Sequence, residues 1–232
     1  MKPTAARSPL ITRHAIAQAP RYHQLCNGVV PRYPRSGRFF YAWTMVAEAT
    51  QFEGLEGTLA VKRWLESTTF MELPFNAYED EGQCTLVRLD GHAKRYDLSG
   101  YFLGESRRPI VVESKSYSTV GHQAGAYTEY LANAYSTTAH DIATVGDLRR
   151  EYFWVTSHPF SQTKWPLLTS SDEMRDALKI HPEVLNGADA DEDLLRDVAS
   201  RLWLLVRHKR QEDITLTRDE LQHVFTVLKR KA

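Results

Sequence analysis

The stretch "PIVVESKSYSTVGHQAGAY", residues 109–127, decides the fold. An apolar, β-branched run, Ile110-Val111-Val112, leads straight into Glu113, Ser114 and Lys115. Bounded upstream by the turn formers of "GESRRP" (104–109), that run reads as a strand too apolar to lie on a surface. Downstream, residues 120–139 read as a helix, with Ala124, Tyr127, Leu131 and Ala134 at helical spacing. Gln123 and Tyr127 are one turn apart on one face of it. A buried strand that ends in an acid and a lysine asks what those charges face.

Working outward, "RYDLSGYFL" (95–103) alternates as a strand and "CTLVRLD" (84–90) is a second one. Residues 39–49 and "GLEGTLAVKRWLE" (54–66) are helical, and "YFWVTS" (152–157) is a short apolar strand. The order is α-β-β-β-α-β, an α/β class. Residues 170–232 suggest only helices: Ser170 with Glu173, and Thr217 with Glu220, have capping-box spacing. The stretch "DADEDLLRDVASRLWLLVRHKR" starts acidic and ends basic, as a helix dipole prefers. The apolar stripes of this segment serve either as core or as a docking face for a protein partner or a second copy. Three regions follow: a basic, aromatic-containing arm over 1–38, a core over 39–165, and a C-terminal helical appendage over 166–232.

Geometry says what the charges face. If strands 95–103 and 110–116 form a hairpin turning near Glu105 and Ser106, Asp97 falls opposite Glu113 to within one residue. Directly opposed residues share a face, with Cβ atoms about 5 Å apart. Lys115, two residues beyond Glu113, points to the same face. Two facing carboxylates repel and require positive charge between them. Lys115 supplies part of it. Magnesium, which accepts a pair of carboxylates plus water, would supply more. Such an ion polarises a phosphoryl oxygen and acidifies water.

Composition narrows the partners. The 232-residue chain is neutral overall, with 29 basic and 29 acidic residues, yet residues 1–47 carry seven basic residues and no acid. Arg32, Arg35 and Arg38, with Tyr33, Phe39, Phe40, Tyr41 and Trp43 close by, suit phosphates and bases. The five prolines of that arm equally fit an irregular tail with solvated arginines. Cys26 and Cys84 have no CxxC spacing, which argues against a cysteine-held zinc or iron–sulfur site. No apolar run is long enough to span a membrane. No apolar stretch precedes a cleavage site, so a cytoplasmic protein is expected.

Asp97, the "ESK" that closes an apolar strand and the "QAGAY" of the next helix together resemble the PD-(D/E)XK nuclease superfamily. The Gln-x-x-x-Tyr helix resembles its RecB-like branch. "ESK" is also the only Asp/Glu-x-Lys in the chain. The resemblance implies a restriction-endonuclease-like α-β-β-β-α-β core with a mixed sheet. It implies Asp97 and Glu113 as ligands of magnesium (or manganese), with the backbone carbonyl of Ser114 adding an oxygen. Lys115 would be the catalytic lysine, and Gln123 and Tyr127 would brace the site or touch the substrate backbone. An acid of the first helix often completes such a site; Glu56, after a glycine at a helix start, is the choice among Glu48, Glu53, Glu56 and Glu66. Tyr96 departs from the pattern, standing where proline often precedes the first acid. The expected activity is hydrolysis of phosphodiester bonds as a metal-dependent endonuclease, on DNA in preference to RNA. Its setting would be defence or DNA repair. The alternatives are an inactive nuclease-like scaffold or nucleic-acid-binding subunit, and the same fold acting on RNA.

Overall fold

The computed structural model describes residues 54–104, 106–115 and 123–228. The arm with Arg32, Arg35 and Arg38, the helix expected over 39–49, and residues 116–122 lie outside the described residues.

Helix α1 covers residues 54–68 of those described. Val61 and Leu65, four apart, bury one face of it, as the periodicity requires. It ends where three hydroxyls take its last carbonyls: Ser67 bonds Arg63 O, Thr68 bonds Trp64 O and Thr69 bonds Leu65 O. Strand β1 (Met71–Asn76) follows at once, tied back by Leu73 N–H donating to Glu66 Oε1 at 2.9 Å.

The chain is α/β, built on a five-stranded mixed sheet. Its strand order is β1, β4 (Leu98–Phe102), β5 (Pro109–Lys115), β6 (Glu151–Thr156), β7 (Leu202–Val206). The first three pair antiparallel and the last two join parallel. Between β5 and β6 the chain crosses over through α2 (Gln123–Thr144). Between β6 and β7 it crosses through α3 (Ser171–Ile180) and α4 (Glu192–Ala199). All six residues of β6 are buried, as expected of a strand covered on both faces. One face packs Leu73, Leu98, Ile110, Val112 and Phe153 against α1. The other packs Val111, Tyr152 and Trp154 against α2, α3 and α4.

Pro74 sits in edge strand β1, the position a ladder tolerates, and the β1–β4 register shifts around it. Opposite that irregularity, a Cβ on Gly100 would stand 2.0 Å from Glu72 O, so only glycine lets the two backbones approach.

Two expectations are corrected. The first strand of the sheet is β1, not 84–90. That segment supplies only β2 (Thr85–Val87), which pairs with β3 (Ala93–Arg95) as a separate two-stranded ribbon. Residues 170–232 are also not helical throughout. Helix α4 stops at Ala199, and Leu202–Val206 becomes β7. A five-residue apolar run fits either element in isolation. The open edge of β6 decides it, offering backbone partners from Tyr152↔Leu202 to Thr156↔Val206. Met174, Leu178, Leu195 and Val198 lie in the same buried cluster as α2.

The two expected caps are present. Ser170 accepts from Glu173 N–H, while Thr217 and Glu220 exchange bonds at the start of α5 (Arg218–Leu228). Among the described residues no helix is long and apolar enough to cross a membrane.

Candidate active site

The antiparallel register of β4 and β5 pairs Leu98 with Val112, Ser99 with Val111 and Gly100 with Ile110. One step further, Asp97 stands opposite Glu113, and its N–H donates to Val112 O at 3.0 Å. Alternation along β5 turns Ile110 and Val112 toward α1, and Val111 and Glu113 toward α2. Lys115 follows on that same side. Its Nζ donates to Glu113 Oε1 at 2.7 Å and lies over the Trp154 ring, 5.5 Å from the centroid.

Both carboxylates are pulled from water. Glu113 is 6% exposed. Asp97 Oδ2 accepts the Ser114 N–H at 2.7 Å. Burial pushes the Asp97 carboxyl up to about 6, helped by the negative charge of Glu113 and opposed by the Ser114 N–H, Lys115 and Lys94. Two ammoniums thus stand beside two carboxylates, and burial still holds Asp97 up.

Sequence reasoning missed Lys94. Its Nζ lies 3.1 Å from Glu113 Oε2, at an angle that makes no hydrogen bond, and 5.2 Å from the centroid of the Tyr96 ring. No spacing rule connects Lys94 to Glu113. The β2–β3 ribbon brings it there, and α2 holds the ribbon: Arg88 Nη1 donates to Asn133 Oδ1, and Leu89 N–H to Ser136 Oγ.

Gln123 and Tyr127 are both buried and face inward. Thr156, the register partner of Lys115, donates through Oγ1 to Gln123 Oε1 at 2.7 Å. The Tyr127 hydroxyl donates to Leu168 O at 2.9 Å, and burial pushes it up. These bonds tie α2 to the end of β6, where Thr156 pairs with Lys115 of β5, and to the segment before α3.

Glu56 is exposed on α1. Among the described residues, no third His, Cys, Asp or Glu joins Asp97 and Glu113 in a metal-sized cluster. Glu48 and Glu53 lie outside the described residues. The thiol of Cys84 is pushed up to about 11 by burial, then by Asp80 and Asp97, which keeps it protonated and inert. A cavity of about 760 Å³ lies elsewhere, between α1 and α5, and none of Asp97, Glu113, Lys94 or Lys115 lines it.

The donor set suits a hard cation. It offers carboxylate oxygens, one of them, Glu113 Oε2, buried without a hydrogen bond among the described residues. Buried polar groups without hydrogen-bond partners are rare enough to need a reason. In addition to Glu113 Oε2, the Tyr130 hydroxyl, Nε1 of Trp154 and Nε2 of Gln123 make no hydrogen bond among the described residues.

Compared with known proteins, the chain matches no family model, no curated protein and no solved structure.

Proposed function

We propose that this chain is a metal-dependent nuclease that hydrolyses phosphodiester bonds, with DNA as its substrate. The observation that carries the reading is the opposed pair of Asp97, half-buried, and Glu113, buried, with Lys115 bonded to Glu113. The order α1-β1-β4-β5-α2-β6, with three antiparallel strands and a parallel fourth, supports a restriction-endonuclease-like core. Asp97 and Glu113, with the Ser114 carbonyl, would hold magnesium or manganese. When bound, that ion supplies Lewis acidity and a more acidic water.

The chain's own residues do the rest. Lys115, its ammonium seated over Trp154, presents a fixed positive charge to the charge that grows on phosphorus. The Thr156–Gln123 bond anchors the β6 position that pairs with Lys115 on β5, which would help orient that ammonium. Arg32, Arg35 and Arg38 would grip the nucleic-acid backbone. On α5, Val227 is 79% exposed and would meet a protein partner or a second copy.

The test is incubation with plasmid, linear and single-stranded DNA and with RNA, each with magnesium, manganese or EDTA. Cleavage of DNA with either metal and none with EDTA is expected. No cleavage of any nucleic acid with either metal overturns the reading. The second reading is an inactive nucleic-acid-binding relative. What favours it is that two lysines already meet Glu113. Binding without cleavage in the same assay would select it.

A further inference from the structure

Glu113 is contacted by two ammonium groups of different standing. Lys115 makes a hydrogen bond to Oε1 at 2.7 Å. Lys94 makes only an ionic contact to Oε2 at 3.1 Å, so that oxygen stays without a hydrogen bond among the described residues. An ammonium is a compact charge on a flexible stem and can leave such a contact without breaking a fixed geometry.

The element that carries Lys94 is equally distinctive. A two-stranded ribbon is marginal by itself, and β2 and β3 are three residues each. It stays in place because Leu86, the register partner of Lys94, packs on the buried cluster, and because Arg88 and Leu89 bond to α2. The ribbon therefore delivers one positive charge to one buried carboxylate oxygen.

We propose that Lys94 is the resident counter-cation of Glu113, occupying the oxygen a divalent ion would take, so that loading the site exchanges ammonium for metal. This rests on the metal-dependent reading above. Lys94 then sets how much metal the site needs: a cation binds only the fraction of molecules in which Oε2 has been vacated. If Lys94 holds Oε2 in about nine molecules of ten, apparent metal affinity is about tenfold below its intrinsic value.

The experiment measures Mn²⁺ binding to the full chain by electron paramagnetic resonance, without nucleic acid. It compares wild type with Lys94→Met, Lys94→Gln, Lys94→Arg and Glu113→Gln. Lys94→Met and Lys94→Gln are expected to bind Mn²⁺ about tenfold more tightly than wild type, and Lys94→Arg no more tightly. In thermal melts without metal, Lys94→Met should melt lower than wild type, and Mn²⁺ should raise its Tm by more. Having two neutral variants keeps the test open if one fails to fold. Unchanged or weaker Mn²⁺ binding in both, while Glu113→Gln still abolishes binding, overturns the exchange and leaves the metal site standing. Absence of Mn²⁺ binding in wild type and in both neutral variants brings down the metal-dependent reading and the exchange with it.

Discussion

Glu113 and Glu151 are both buried carboxylates, on neighbouring strands β5 and β6 at opposite ends of the sheet, and their surroundings differ. Glu151, 3% exposed, is satisfied on both oxygens: Arg108 donates to Oε1, and Trp203 Nε1 to Oε2 at 2.7 Å. Around it, Arg150 pairs with Asp141, while Arg201 pairs with Asp147 and Asp197. At this end every acid meets a guanidinium or an indole N–H of defined direction. At the other end Glu113 faces a second carboxyl and meets ammoniums, one of them without a hydrogen bond. A buried charge that serves only stability should be paired and hydrogen-bonded. One left short of a partner asks for a reason, and a ligand charge is one such reason. At the Glu151 end, Arg150 Nε and Arg201 Nε also make no hydrogen bond among the described residues.

The largest expected effect tests that contrast directly. Glu113→Gln should cut the cleavage rate by a factor of about 10² to 10³, roughly 3–4 kcal/mol, as should Lys115→Ala, with the fold retained. Glu151→Gln should leave the rate per folded molecule unchanged and lower stability by about 1.5–3 kcal/mol, the value of a hydrogen bond to a charged group. Rates measured alongside urea melts separate the two. Equal loss of activity in Glu113→Gln and Glu151→Gln, in step with stability, would dissolve the distinction between the ends.

Next in size is Arg201→Met. Arg201 is 2% exposed and joins two acids, Asp147 and Asp197, that are each about one-third exposed. Breaking a fully buried pair costs about 3–5 kcal/mol. Here the stranded acids can hydrate, so a loss near 2 kcal/mol is expected, with activity per folded molecule intact. Denaturant unfolding followed by tryptophan fluorescence reads it.

The acid pair also predicts opposite pH trends for stability and activity. The Asp97 carboxyl is raised in the folded state, from an ordinary 3.8 to about 6. The native state therefore binds the proton more tightly than the unfolded chain. This contribution is present in full below about pH 4 and is lost as pH rises through about 6. Metal-free stability of wild type relative to Asp97→Asn should fall over that interval. Activity should run the other way, because a protonated Asp97 cannot hold a cation. Parallel stability curves for wild type and Asp97→Asn from pH 4 to 7 would mean that neither burial nor Glu113 raises the Asp97 carboxyl in the folded state.

The placement of Asp97 opposite Glu113 was more legible in the sequence than the fold around it, and the reason lies in the range of the signals. The hairpin that opposes Asp97 to Glu113 is local: two strands and a short turn fix the register, and Leu98↔Val112 to Tyr101↔Pro109 follow from it. The apolar run of β5 and the helical spacing of α2 are local as well. Strand β7 was not legible, because Leu202–Val206 fits a helix or a strand until the open edge of β6 chooses. Lys94 was not legible either. Its meeting with Glu113 depends on Asn133 and Ser136, more than 35 residues downstream on α2, holding the ribbon in place.

The smallest expected effect separates bracing from substrate contact in the Gln-x-x-x-Tyr helix. The Tyr127 hydroxyl is buried and donates to Leu168 O, while its ring packs on Trp154, Tyr130 and Phe160. Tyr127→Phe keeps that ring packing and removes one hydrogen bond, leaving a carbonyl unsatisfied. The stability loss should be about 1 kcal/mol. Cleavage should fall by no more than a few-fold, through a small shift of α2 against the strand ends that carry Lys115. Gln123→Ala should do somewhat more, because the freed Thr156 hydroxyl sits beside Lys115 in the β5–β6 register. If Tyr127→Phe instead lowers the rate as far as Lys115→Ala with Tm unchanged, the hydroxyl must reach the reacting phosphate in a state where it has left Leu168. The helix would then belong to the chemistry and not to its support.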